Sequence, residues 1–150
     1  MSEKAEKLGA EKERIWPTKT EFTPEMLAEM EEMLPSKLNR VVAASLAGCI
    51  HCGMCSDACH YSVSIPEDKK LVPAYKAERF RKWYKSRYDL MAKWFPNFVA
   101  AQPLTKELAD EMYDKLWGGC TMCRRCTLNC PMGVDYGMMV RAARSMMQQV

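Results

Sequence analysis

Eight cysteines and their spacing carry the chemistry of this sequence. Cys49, Cys52, Cys55 and Cys59 form one run, Cys120, Cys123, Cys126 and Cys130 form a second, and Pro131 follows directly. Both runs read C-x2-C-x2-C-x3-C, and no cysteine falls outside them. That spacing is an iron–sulfur signature. Three thiolates three residues apart lie on one tight turn and can wrap three corners of a cubane. The fourth falls on the next segment, usually a short helix, and points away. In two-cluster ferredoxins it ligates the other cluster. The spacing therefore predicts one [4Fe–4S] cluster on Cys49, Cys52, Cys55 and Cys130, and another on Cys120, Cys123, Cys126 and Cys59. Neither run holds a complete cluster alone. The metal should staple the fold, and the apo-protein should fold poorly.

Two other chemistries use cysteine in this number. Zinc sites bring two C-x2-C knuckles together in pairs, which is not a triplet plus one, repeated. A disulfide framework needs an oxidising compartment, and Met1–Arg14 is a charged mixture with no apolar core of a secretory signal. Reduced thiolates instead point to a cytosol-facing compartment, and oxygen-sensitive clusters fit an anaerobe. With eight thiolates completing two cubanes, His51 and His60 are expected beside the clusters rather than on iron. His60, next to Cys59, is the candidate for a proton-linked potential. Gly53 allows the backbone close to the first cluster. Arg124 and Arg125 bring positive charge to the second, or form a solvated turn. Electron transfer needs no acid or base, and no residue is assigned a catalytic role.

The rest of the chain must position these runs. At 150 residues, with 48% hydrophobic content and a formal charge of +3, one domain with a tail is expected: residues 1–22 as tail and 23–150 as a dicluster domain. The near-balanced charge does not suggest a nucleic-acid binder. No apolar run approaches the length of a membrane span. Ile15, Trp16 and Phe22 would anchor the tail on a partner subunit. Thr23-Pro24-Glu25 starts a helix expected to stop at Pro35. Ser36 then caps a second, to about Ala47, with Leu38, Val41, Val42, Ser45 and Leu46 as its stripe. The acids Glu25, Glu29, Glu31 and Glu32 read as a solvated face. A third helix begins at Val72-Pro73, with Phe80, Trp83, Tyr84, Tyr88 and Met91 inward and Lys76, Arg79, Arg81, Lys82, Lys85 and Arg87 outward. It should break near Ser86–Asp89 and end before Pro96. Thr105 caps a helix with Leu108, Met112 and Leu116 inward, closed by Gly118-Gly119. Asp135 caps the last, with Met139, Val140, Ala143 and Met147 on its buried face. The thirteen methionines read as core filling. No strand signal appears, so the fold is expected to be all-α. The basic, aromatic third helix segregates its rings from its cations, against a single-stranded nucleic-acid platform. Docking to an acidic protein or anionic lipid is its functional reading.

The two runs and their long helical connector resemble the α-helical ferredoxin domain of heterodisulfide reductase C subunits, anaerobic glycerol-3-phosphate dehydrogenase C subunits and succinate dehydrogenase iron–sulfur subunits. The likeness covers about Ser36–Val150. Within Cys49–His60, Cys59 is followed by His60 rather than proline. With Cys120-Thr121-Met122-Cys123-Arg124-Arg125-Cys126, this looks like the heterodisulfide reductase D-type proteins, including the iron–sulfur subunit of the membrane complex associated with dissimilatory sulfite reductase. That family pattern implies the same crossed ligation. D-type proteins continue into C-C-G segments for disulfide chemistry, which this sequence does not contain. The resemblance therefore implies an electron-transfer component of an oxidoreductase complex rather than an enzyme on its own. It would relay electrons between a flavoprotein or quinone-linked partner and a catalytic subunit carrying the C-C-G segments. Membrane contact would come through partners or through the basic helix. The alternative is a structural or redox-sensing module that organises partner binding.

Overall fold

The computed structural model describes residues 21–149; Ile15 and Trp16, expected on a partner-binding arm, lie outside them. Among the described residues every regular element is helical, as the sequence predicts.

Helix α1 (Pro24–Lys37) starts where expected, with Thr23 Oγ1 accepting from the Met26 N–H. It does not stop at Pro35. The proline sits in the last turn, and the Leu38 N–H still reaches the Leu34 carbonyl. A proline there forfeits the bond its missing N–H would have made and crowds the carbonyl one turn back, but the last turn after it still closes. Ser36 is accordingly not a cap: its hydroxyl bonds back to the Met33 carbonyl. Asn39 takes that role, its Oδ1 accepting from the Val42 N–H at 2.9 Å, and α2 runs Arg40–Gly48. Short helices follow in the first cysteine region, α3 (Cys55–Ala58) and α4 (His60–Ser64), then a 3-10 turn at Lys69–Leu71. The long α5 (Pro73–Tyr88) breaks at Asp89, which caps α6 (Leu90–Trp94). Thr105 caps α7 (Lys106–Tyr113), which widens into a π turn, Asp114–Gly118. The second cysteine run carries α8 (Arg125–Leu128), and α9 (Tyr136–Gln149) closes the fold. As expected, the Asp135 carboxylate caps it, through the Met138 N–H at 3.0 Å.

Helix α9 is the spine. It packs on α1, α2, α5, α8 and the π turn. Met139, Val140, Ala143 and Met147 are all buried on it, together with Met146. Facing them are Met30 and Leu34 of α1, Val42 and Leu46 of α2, Phe80 and Trp83 of α5, and Leu108, Met112 and Leu116. Phe22 belongs to this same core and meets Tyr113 edge-to-face at 6.1 Å, so it anchors to its own chain rather than to a partner.

Two further expectations about burial are corrected. The aromatic stripe of α5 outlasts the core: Phe80 and Trp83 are buried, Tyr84 is half-buried, and Tyr88 and Met91 are exposed. The distal end of the helix runs past the elements it packs against. Nor are the methionines uniformly core, since Met54, Met91, Met122 and Met132 are exposed. No helix among the described residues is long and apolar enough to cross a membrane.

Trp83 is fully buried between the helices. Trp83→Ala should cost about 3–5 kcal/mol, read as a lowered thermal midpoint of the cluster-loaded protein. An unchanged midpoint would remove α5 from the core.

Candidate metal centre

The two cysteine runs have the same backbone. His51 and Met122, each two residues after the first cysteine of its run, have φ of 55° and 54°. Gly53 and Arg124, four residues after it, have φ of 82° and 61°. A left-handed residue before and after the second cysteine turns the chain sharply, so successive side chains face one point. The Ser56 N–H then bonds to the Gly53 carbonyl at 2.9 Å, and the Thr127 N–H to the Arg124 carbonyl at 3.0 Å, starting α3 and α8. The fourth cysteine follows each short helix, its N–H on the Ser56 or Thr127 carbonyl. Glycine is at ease in the left-handed region, whereas a branched or long side chain there is strained.

Each run is also clamped at its first carbonyl by an arginine from a packed helix. Arg81 of α5 donates to the Cys49 carbonyl at 3.1 Å. Arg144 of α9 donates to the carbonyls of Cys120, Leu116 and Trp117, and its guanidinium lies over the Trp117 ring at 4.8 Å. Those last two carbonyls belong to the π turn, whose irregular hydrogen bonding leaves them free. Between the runs, Asn129 Nδ2 donates to the Met54 carbonyl at 2.6 Å. That bond seats the end of α8 against the start of α3.

The result is two cavities. The larger, about 460 Å³ including space open to solvent, is lined by Cys120, Cys123, Cys126 and, from the other run, Cys59. The smaller, about 260 Å³, is lined by Cys49, Cys52, Cys55 and, from the other run, Cys130. Among the described residues no three Cys, His, Asp or Glu side chains converge as ligands of a single ion. The thiols line the walls of the two cavities. The donor set, four thiols per cavity, fits a [4Fe–4S] cluster.

The side chains expected around the clusters divide. Gly53 occupies a left-handed position, as close backbone approach demands, and lines the smaller cavity. His51 also lines it, but its Nε2 meets Arg81 and lies 3.2 Å from Glu78. His60 lines the rim of the larger cavity with its ring against Tyr61. Arg124 lines the larger cavity too, but its guanidinium is paired with the Asp135 carboxylate. Its stem lies against Gly137, where a Cβ would come within 2.5 Å of Arg124 Cγ. Arg125 is exposed.

Two residues that sequence reasoning did not assign to the site are central to it. Lys76, expected on the outer face of α5, is 3% exposed. Its Nζ donates to the Gly119 carbonyl and stands 3.8 Å from Cys59 Sγ. Tyr136 is buried and lines both cavities, its hydroxyl 3.3 Å from Cys49 Sγ. Burial, and then the Cys49 contact, push that phenol far above its ordinary range. It therefore stays protonated and can donate to a thiolate. Periodicity could not separate Lys76 from its exposed neighbours; Tyr136 sits one residue after the helix-capping Asp135 and reads as an ordinary first-turn aromatic.

The chain was compared with known proteins on this footing. A family described as "4Fe-4S dicluster domain" matches residues 45–134, which include both cysteine runs. The chain belongs to this dicluster family. Among curated proteins, the Hdr-like menaquinol oxidoreductase iron-sulfur subunit of Archaeoglobus profundus is 35% identical over 112 residues, 75% of this chain and 20% of its own length. Iron-sulfur subunit 2 of the Hdr-like menaquinol oxidoreductase of Archaeoglobus fulgidus is 33% identical over 102 residues, 68% of this chain and 18% of its own. The chain thus spans about a fifth of the length of these relatives. No solved structure matches. The dicluster domain carries two [4Fe–4S] clusters, which its eight cysteines fit.

Two outcomes follow for the dicluster domain. Lys76→Met removes a positive charge beside the larger cavity and should lower the potential of one cluster. A shift of about 60 mV corresponds to a tenfold change in a one-electron equilibrium. Iron content and the other cluster should be unaffected, and an EPR-monitored redox titration reads both. Equal shifts in the two clusters, or none, would contradict this role. The second outcome concerns the metal-free chain, where burial, and then the neighbouring thiols Cys120, Cys55 and Cys59, push Cys126 up to about 11 from 9.0. A raised thiol pKa stabilises the folded state fully below the unfolded value, and that contribution is lost as pH rises through the folded value. Metal-free protein should therefore lose stability between about pH 9 and 11, measured by denaturant titration. Cluster loading should release protons and slow as pH falls.

Proposed function

We propose that the crossed set of thiolates ligates the two clusters, Cys49, Cys52, Cys55 and Cys130 holding one and Cys120, Cys123, Cys126 and Cys59 the other. On this reading the domain is a two-cluster wire inside an oxidoreductase complex of the heterodisulfide reductase-like type. The observation that carries it is the lining of the two cavities: each is bounded by three cysteines of one run and the fourth of the other. Zinc or disulfide chemistry has no use for that exchange.

A wire also needs entry and exit. Cys52 and Cys123, the middle thiols of the turns, are the exposed ones. Around them Ile50, Met54, Leu128 and Met132 are exposed apolar side chains. A partner covering such a rim would exclude water from the cluster edge and approach it closely. The relatives are named as subunits of menaquinol oxidoreductases. This supports a quinone- or flavin-linked partner at one end and a catalytic partner at the other. Tyr136, lining both cavities, lies on the path between the clusters.

The test is anaerobic iron analysis and EPR on the parent and on Cys130→Ser and Cys59→Ser. The parent should hold about eight iron and show two coupled [4Fe–4S]⁺ signals on reduction. Each variant should fall to about four iron. Cys130→Ser should lose the cluster of the first run and Cys59→Ser that of the second. Pairing each with Lys76→Met identifies the surviving cluster, since only the one near Cys59 should respond. Loss of each cysteine's own-run cluster would overturn the crossing. Zinc in the parent would overturn the wire.

A further inference from the structure

The segment after α5 carries a surface that electron transfer between the clusters does not use. Between residues 88 and 98, Tyr88, Leu90, Met91, Trp94, Phe95 and Phe98 are all exposed, with Leu90 at 74%, Trp94 at 81% and Phe98 at 84%. We propose that this protrusion is an interfacial anchor that docks the protein on an anionic lipid surface.

The first argument is charge. Lys82, Lys85, Arg87 and Lys93 flank the apolar side chains, and the sole acid in the stretch from 82 to 98 is Asp89. Its carboxylate is engaged as the cap of α6, accepting from the Met91 N–H at 2.9 Å. None of the four cations has an ion-pair partner recorded among the described residues, whereas Arg79 and Arg81 of the same helix pair with Glu111 and Glu78. Aromatic rings and leucine ringed by unpaired lysine and arginine match the headgroup region of an anionic bilayer, where rings sit at the boundary and cations meet phosphate.

The second argument is the backbone. A segment entering a region poor in water must satisfy its own polar groups. Here the Phe95 N–H bonds to the Met91 carbonyl at 2.8 Å, Phe98 to Phe95 at 3.1 Å, and Ala101 to Pro96 at 2.9 Å. The loop is pinned to α5 at two points: the Gln102 N–H on the Lys82 carbonyl at 3.1 Å, and Lys85 Nζ on the Val99 carbonyl at 3.0 Å. It is a preformed wedge with side chains outward, and docking need order little of it.

Other occupants fit less well. A protein interface of this size is depleted in lysine at its centre. A nucleic-acid platform needs flat rings to stack on, and Leu90 and Met91, central here, offer none.

The experiment is anaerobic co-sedimentation of the cluster-loaded chain with vesicles of phosphatidylcholine alone or mixed with phosphatidylglycerol. Binding to the mixed vesicles, weakened by salt, is the expected result. Trp94→Ala with Phe98→Ala should abolish it. Arg87→Gln with Lys93→Gln should weaken it by about thirtyfold, the effect of two surface cations. All four positions are exposed, so cluster absorbance and EPR should match the parent, which shows that the variants fold. No binding to the mixed vesicles, or variants that bind like the parent, would overturn the proposal. So would tighter binding to an oligo-dT strand than to vesicles, or self-association lost in Trp94→Ala, which would give the surface to nucleic acid or to a second copy. The proposal does not rest on the crossed ligation, and the EPR of the parent decides that separately.

Discussion

Two turns, at Cys49–Cys55 and Cys120–Cys126, must hold their thiols at fixed points around two neighbouring cavities, and the remaining structure serves that demand. The turns achieve it with left-handed residues at equivalent positions. In the first run Gly53 takes one of them without strain; in the second Arg124 must take it with a full side chain. A non-glycine residue there costs of order 1–3 kcal/mol unless its surroundings over-determine it. The surroundings do so: the Arg124 stem lies on Gly137, where any Cβ would collide, and its guanidinium is tied to Asp135, which caps α9 and whose N–H bonds Ser45 of α2 at 3.0 Å. A strained turn is thus locked to the central helix and, through it, to the helix that precedes the first run. Metal–thiolate bonds add the final constraint, which is why cluster binding and folding should be coupled.

The two cavities share a plan but not an electrostatic environment. Arg81 and Arg144 perform equivalent clamping, yet Arg81 is shared with His51 and Glu78, while Arg144 meets backbone carbonyls and the Trp117 ring. Of the two arginines expected at the second cluster, Arg124 is paired with Asp135 and Arg125 is exposed. Two further cations stand at that cavity: Arg144, on the Cys120 carbonyl, and Lys76, buried and 3.8 Å from Cys59 Sγ. A Cβ at Gly119 would come within 2.8 Å of the Lys115 carbonyl and 3.1 Å of the Leu71 side chain. Gly119 is thus held to a glycine by its own turn, and its carbonyl accepts from Lys76. A buried cation favours the more negative, reduced state of a cluster held beside it.

The cysteines that line the two cavities were legible in the sequence because iron–sulfur spacing is a local code. Fold class, the caps Thr23, Thr105 and Asp135, and the break at Asp89 were legible for the same reason: each depends on side chains within four residues. What was not legible is tertiary. Pro35 was read as a stop, though the last turn after it still closes. Ser36 and Asn39 are both good caps, and which one is used depends on where α1 ends. Lys76 shares its helix with five other cations, and no pattern within that helix marks it as buried. Tyr88 and Met91 continue the periodicity of Phe80 and Trp83, but periodicity does not say where the partner helices stop. That last failure hid the exposed surface: rings and cations that segregate on the buried part of α5 come together where the helix overhangs.

Helix α5 connects all three features. At 1.5 Å per residue, Lys76 and Arg81 stand roughly 7 Å apart along the axis, and Tyr88 roughly 10 Å beyond Arg81. The helix touches the larger cavity with Lys76, reaches the Cys49 carbonyl of the smaller with Arg81, and then overhangs into the aromatic protrusion. The order is fixed by the chain: Lys76, at the larger cavity, precedes Arg81, at the first carbonyl of the smaller, and the exposed end follows both. If the protrusion rests on a lipid surface, α5 holds both cavities at set distances from that surface. A long helical connector between the cysteine runs has a physical purpose on this view. A compact hairpin would bring the same eight thiols together, but it would supply neither the buried charge beside Cys59 nor the exposed overhang.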